Sequence, residues 1–186
     1  MTKFLAALAA FAFLFSSHIA NAEGVAGSTV GGAFSLVDGD GNQVTEKSWP
    51  GKYKLVFFGF TSCPEICPVT MDAMVEALEK LGPAAEKIQA LFITTDPARD
   101  TPAVVKDYAS KFGKSIIGLT GTEEQLKDAE TKYKVYAAKR STEDGKNYTI
   151  DHSGFVYLMS PDDKMVAIMK GSDGSDTIAA KIKPLL

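Results

Sequence analysis

The run YKLVFFGF at positions 53–60 constrains the fold more than any other part of the chain. It is nearly continuous in apolar and aromatic residues, with no alternation of polar positions. At that length it reads as a β-strand buried on both faces, and such a strand needs a layer above it and another below. The sequence that follows supplies candidates for both. Val69, Ala73, Met74, Ala77, Leu78 and Leu81 fall on one helical stripe, stopped by Gly82 and Pro83. Positions 88–95 read as a second buried strand. Asp100-Thr101-Pro102 starts another helix, with Asp100 in the cap and proline in the first turn. That helix runs to about Phe112.

The remaining punctuation completes the order. Positions 115–119 form a short strand, and Thr122-Glu123-Glu124 opens a helix ending near Tyr133. Asp144-Gly145 marks a hairpin turn. Strands at 155–159 and 165–169 are joined by the polar turn at 160–163, and Ser175-Asp176 caps a last short helix. Upstream, 34–37 and 43–45 flank a Gly-rich turn, giving an N-terminal β-hairpin. The Asp38, Asp40, Asn42 spacing in that turn is similar to the start of a calcium loop. Gln43 stands where such a loop needs glycine and Trp49 where it needs glutamate, so a turn is the better reading. Alternating strands and helices imply an α/β fold with a central β-sheet flanked by helices, and the antiparallel pair near the end makes that sheet mixed.

Residues 1–22 are a separate object. Lys3 supplies a positive start, an apolar run extends to Phe15, and Ala20-Asn21-Ala22 offers a small-x-small cleavage site. This is the layout of a cleaved signal peptide; a spanning helix would need about 20 apolar residues. The domain organisation is then a leader over 1–22, a loose arm over 23–32 and one domain over 33–186. Charged residues make up 23% of the chain and the formal net charge is −3, with no long basic run. That excludes nucleic acid as a partner. The reading is of an exported, periplasmic protein that meets a membrane only through a partner, and that acts as a monomer.

The chemistry concentrates in Cys63-Pro64-Glu65-Ile66-Cys67-Pro68, where the first buried strand ends and a helix begins. Ligands in open α/β sheets bind beyond the carboxyl ends of strands. A helix N-terminus also stabilises thiolate over thiol, so both cysteines are expected to have lowered pKa values. Residues four apart share a helical face, so the two sulfurs can converge on an ion or form a disulfide. An exported chain with two cysteines commonly holds them in a structural disulfide, but a bond closing so small a loop adds little chain-entropy stabilisation. Once His18 leaves with the leader, His152 is the one remaining histidine. It reads as a loop residue just before a strand, with Asp151 placed to orient its ring. A lone histidine is, on its own, more often a surface or core residue than a ligand. Asp96, after the second buried strand, is placed to tune the site. Met71 and Met74 read as core filler.

The segments 59–68, 95–102, 117–122 and 148–157 together resemble the Sco (SenC) family, in that family's order and over most of the mature chain. The resemblance implies a thioredoxin-like fold and copper held by two cysteines and one distant histidine, here Cys63, Cys67 and His152. It also implies a part in building the CuA site of cytochrome c oxidase subunit II, or of another copper or thiol protein. Ser62 departs from the histidine frequent before the first cysteine, a position outside the ligand set. Thioredoxin-type reductases carry a cis-proline where His152-Ser153 stands, which favours metal binding over ordinary disulfide exchange. Two thiolates and an imidazole suit Cu(I) and Cu(II). Three functions compete on these residues. One is a copper metallochaperone, one a thiol–disulfide oxidoreductase in which Cys63 and Cys67 are the redox pair, and one a copper or redox sensor. The first is not an enzyme in the ordinary sense, and the second carries a reductase activity.

Cleavage after Ala22 is the first testable consequence. The exported protein should begin at Glu23 by intact-mass measurement; a full-length chain recovered from the membrane fraction would refute the cleaved leader.

Overall fold

The computed structural model describes residues 30–142 and 147–186. The expected leader, most of the arm at 23–32, and the Asp144-Gly145 turn lie outside the described residues. Nine strands and four α-helices occur among those described. The strands are β1 (Ser35–Asp38), β2 (Gln43–Thr45), β3 (Tyr53–Gly59), β4 (Ile88–Thr94) and β5 (Ile116–Thr120), then β6 (Ala137–Ser141), β7 (Tyr148–His152), β8 (Phe155–Met159) and β9 (Met165–Lys170). The helices are α1 (Ile66–Leu81), α2 (Pro102–Ser110), α3 (Glu123–Tyr133) and α4 (Gly174–Ile182).

Seven strands form one mixed sheet in the order β2-β1-β5-β4-β3-β8-β9. β3, β4 and β5 run parallel at its centre, while β8 pairs antiparallel with β3 and β1 antiparallel with β5. The run at 53–60 is indeed a central strand. Leu55 and Phe57 face one layer, with α1, α2 and α4; Val56 and Phe58 face the other, with α3 and the N-terminal hairpin. All four side chains are fully buried, as a strand covered on both faces requires. This is the mixed, helix-flanked sheet of a thioredoxin-like domain with an N-terminal hairpin. The hairpin turn is closed by Asp38, whose Oδ1 accepts from the backbone of Asp40 and Asn42 at 2.9 Å each.

Several local expectations change. The buried stripe of α1 is Cys67, Thr70, Met71, Met74, Ala77, Leu78 and Leu81, with Ala73 beside it, while Val69 is 58% exposed. Thr70 takes the place because glycine lies opposite: a Cβ on Gly171 would fall 2.1 Å from Thr70 Oγ1. α2 is capped by Thr101, whose hydroxyl accepts from Val104 N, and Asp100 points elsewhere. Ser175 and Asp176 lie inside α4; Ser175 instead donates to Glu76 and accepts from Lys80. The expected cap at Thr122 holds, as a capping box with Gln125.

Positions 137–152 differ most from expectation. Among the described residues, β6 and β7 pair only with each other, as a two-stranded ribbon separate from the main sheet. His152 is the last residue of β7, paired with Ala137, rather than a loop residue. Among the described residues, no helix is long and apolar enough to cross a membrane.

The corrected stripe makes a stability prediction. Met74→Ala should cost about 2–5 kcal/mol of unfolding free energy and Val69→Ala no more than about 0.5. Urea denaturation measures both, and equal costs would overturn the stripe.

Candidate metal centre

Cys63 precedes α1 and Cys67 sits in its first turn, so the two are not stacked on one helical face as their spacing suggests. A bent loop brings them together instead. Cys63 N donates to Phe60 O at 3.2 Å, folding the chain back as β3 ends. Gly59 makes the close approach possible: a Cβ there would lie 2.7 Å from Cys67 Sγ and 3.1 Å from the rings of Phe57 and Phe92. No side chain fits between strand and sulfur.

Asp100 holds this loop from beneath. Its carboxylate has no exposed surface, yet it accepts Thr61 N at 3.0 Å, Thr61 Oγ1 at 2.6 Å and the Thr94 hydroxyl. Its own backbone carbonyl accepts Thr120 Oγ1 at 2.7 Å. One buried side chain therefore joins the cysteine loop to the end of β4, and its backbone joins β5. A carboxylate so far from water is tolerable only because donors surround it.

His152 completes the group. The ligand atoms of Cys63, Cys67 and His152 all lie within 4.8 Å of one another. His152 Nε2 is 3.4 Å from Cys67 Sγ, and Nδ1 is 3.1 Å from Ser153 O. Nδ1–H therefore donates to that carbonyl, and Nε2 is the ring atom that faces the sulfurs. The rings of Phe57 and Phe60 stand edge-on to the imidazole at 6.1 and 5.7 Å. Cys67 is buried, whereas Cys63 and His152 are partly exposed. Two sulfurs and one imidazole nitrogen, with an open side, fit a soft or borderline metal ion such as copper.

The two thiols are electrostatically unequal, which corrects the expectation that both would be lowered. The thiol proton of Cys67 donates to Cys63 and is the main reason that Cys63 falls to about 4. Burial opposes this, while His152 and the backbone N–H groups of Cys67 and Glu65 reinforce it. Cys67 is pushed far above the usual thiol range, first because it must keep the proton it donates and then by burial. The pair in its metal-free state is one thiolate and one thiol sharing a proton.

Two acidic residues named from sequence lie farther out. Asp151 does not orient the His152 ring, whose Nδ1 goes to Ser153 O; it pairs with Arg140 on the exposed face of the ribbon. Successive strand residues point to opposite faces, so a neighbour of His152 is badly placed to reach its ring. Asp96 is fully buried and bonds Arg99 and Tyr148 rather than either cysteine or the histidine. The sequence reading missed Arg99, Tyr148, Tyr108 and the latch role of Asp100. Tyr108 carries a buried hydroxyl with no partner among the described residues. Burial first, and then the negative charge of the cysteine pair, keeps it protonated. Nothing in local spacing marks these residues, because each acts across elements.

The SCO1/SenC family model matches residues 22–186. Schizosaccharomyces pombe Protein sco1 is 40% identical over 156 residues, covering 82% of this chain and 59% of that protein. Saccharomyces cerevisiae Protein SCO1, mitochondrial, is 44% identical over 161 residues, covering 83% of this chain and 55% of that one. The chain thus spans little more than half the length of these relatives. Among solved structures, Arabidopsis thaliana ScoI with copper bound superposes with a TM-score of 0.79 at 37% identity, covering 83% of this chain and 96% of that one. Bradyrhizobium japonicum ScoI with copper bound gives 0.76 at 41% identity, covering 84% and 99%.

Unequal thiols have a measurable signature. Because the Cys63 value is lowered, its thiolate persists until the pH falls through about 4. Alkylation of the reduced, metal-free protein should therefore modify one thiol, mapped to Cys63, at a rate nearly constant between pH 8 and pH 6. An ordinary thiol slows nearly a hundredfold, about its loss of thiolate, over that interval. Two thiols reacting alike, with a midpoint above pH 8, would contradict the shared-proton arrangement.

Proposed function

This chain belongs to the SCO1/SenC family, and from that premise we propose that it is a copper metallochaperone. It carries one copper ion on Cys63, Cys67 and His152 and supplies it to the CuA site of cytochrome c oxidase subunit II. The observation that carries the reading is the convergence of two sulfurs and an imidazole nitrogen within 4.8 Å, in a chain that resembles ScoI structures with copper bound.

The donor set suits cargo rather than a permanent cofactor. Thiolates favour Cu(I) and imidazole accommodates Cu(II), so the site serves either oxidation state. Three protein ligands leave a position open, through which an acceptor's ligand can enter before the carrier's leave. Zinc also accepts two cysteines and a histidine, but the Irving–Williams order places Cu(II) above it. A leader over 1–22 places the carrier in the periplasm, where the copper-receiving domain of an oxidase subunit would be met.

A second reading rests on the unequal thiols. Cys63 is partly exposed and ionised while Cys67 is buried and protonated, an attacking and a resolving thiol. The Cys63 thiolate would attack a partner's disulfide, forming a mixed disulfide and releasing one partner thiolate. Cys67, passing its proton to that thiolate, would then displace the second. Two electrons move to the partner and a Cys63–Cys67 disulfide remains. The same cysteines can serve both roles in turn.

The histidine separates the two readings. His152→Ala should weaken Cu(II) binding by more than the roughly 10–100-fold typical of losing an outer partner of a metal ligand. Cu(I), which tolerates two thiolates alone, should be held far better, and the Cys63–Cys67 disulfide should still form. Titration with each oxidation state measures this, and wild-type Cu(II) affinity in the variant would remove His152 from the ligand set. Loading the wild-type protein and mixing it with the metal-free subunit II domain should produce the CuA absorption. Reduction of that domain's disulfide without copper transfer would favour the oxidoreductase instead.

A further inference from the structure

His152 reaches the cysteines from the end of a strand that makes no ladder with the central sheet, just before β8. β6 and β7 form their own ribbon, yet the imidazole must stand within ångströms of two sulfurs carried by the β3–α1 loop. Ile150, buried against the helix-side core, anchors β7 without direction. Directional ties come from the loop after β4. Arg99 Nη1 donates to the backbone carbonyl of Tyr148 at 3.0 Å, and the guanidinium lies 3.9 Å over the Tyr148 ring. The Tyr148 hydroxyl donates to Asp96 Oδ1 at 2.8 Å, and the other Asp96 oxygen pairs with Arg99 Nε. Asp96 is fully buried and its backbone N–H bonds Thr94 Oγ1 at 2.9 Å, so this end of the ring of contacts is fixed to the sheet.

Strand periodicity carries the effect to the metal site. Tyr148, Ile150 and His152 are two apart and share one face of β7. Fixing Tyr148 at one end and Ile150 in the middle sets the direction in which His152 points. A second path is shorter: the Arg99 guanidinium also stands 5.8 Å over the ring of Phe60, whose edge meets the imidazole. Arg99 Nη2 is buried with no hydrogen-bond partner among the described residues. An idle buried donor is unfavourable, so the guanidinium is placed for the stack and the strand carbonyl rather than for its own full satisfaction.

We propose that Asp96, Arg99 and Tyr148 form a clamp that positions His152 over Cys63 and Cys67, and so sets how well the site holds Cu(II) relative to Cu(I). The inference rests on His152 being a copper ligand. The clamp touches neither sulfur. Loosening it lets the imidazole move while the dithiolate stays intact, so its effect falls on the oxidation state that depends on nitrogen.

The test uses the full mature protein with Cu(II) and Cu(I) as separate probes, in Arg99→Ala, Tyr148→Phe and His152→Ala. Arg99→Ala should weaken Cu(II) by about 10–100-fold, the range for lost outer partners of metal ligands, with Cu(I) affinity within about threefold of wild type. Its Cys63–Cys67 disulfide should equilibrate with glutathione as in wild type. In the metal-free protein, hydrogen exchange of the β7 amides should speed up while β3 and β4 stay protected. Tyr148→Phe keeps the stack and loses only the bond to Asp96; it should weaken Cu(II) less than Arg99→Ala but measurably, and it decides the matter if Arg99→Ala does not fold. Equal loss of Cu(I) and Cu(II) would mean general destabilisation and overturn the clamp. So would unchanged Cu(II) binding in the clamp variants where His152→Ala weakens it. If His152→Ala itself leaves Cu(II) binding unchanged, the ligand reading falls and the proposal falls with it.

Discussion

The buried carboxylate of Asp100 is the constraint on which the candidate site depends. Isolating a carboxylate from water is costly, and the cost is offset only if donors reach both oxygens. Thr61 and Thr94 supply those donors, and in doing so they dictate where the cysteine loop leaves β3. The loop cannot drift without stranding a buried charge. The absence of a side chain at Gly59 then lets Cys67 pack against the strand itself. The result is a rigid seat for two sulfurs at the carboxyl end of a parallel sheet, where α/β folds usually keep their ligands.

That seat makes the cysteines unlike. Cys67 is packed inside the helix-side core and keeps its proton, while Cys63 is left at the helix start as the thiolate. The inequality is a property of the pair: neither thiol would show it alone, because each value is set mainly by the hydrogen bond to the other. It would suit metal capture and disulfide exchange alike. Capture needs one thiolate ready and a second thiol whose proton is released to solvent as the ion binds; exchange needs one attacking and one resolving sulfur.

The third donor is held by different means. The sulfurs are fixed by a buried charge and close packing, whereas His152 ends a ribbon strand just before β8 and is steadied by Ile150, the Arg99–Tyr148 stack and a few polar bonds. A site whose donors are held by different means can bring three of them together and still release one. That property fits a carrier better than a permanent metal centre.

Much of this was written locally. The doubly buried β3, the helix cap at Thr122, the stop at Gly82 and the strand pair near the C-terminus follow from periodicity and turn chemistry within a few residues. So does the suspicion that Cys63 and Cys67 act together. The errors were of short range too: Asp100 and Ser175 each satisfied a local rule that a partner from another element overrode, and Val69 lost its place on the stripe to Thr70, which faces Gly171. Family resemblance named His152 as a partner of the two cysteines, but no local rule could; the tertiary structure brings it, 85 positions from Cys67, to the sulfurs. The tertiary structure alone decided that Asp151 turns away from that ring while Arg99 and Tyr148 reach toward it. Local sequence specifies which face of an element is apolar and where the chain turns, since those depend on neighbours along the chain. Which side chains meet depends on how elements stack, and on buried charges that are satisfied only when distant segments arrive together.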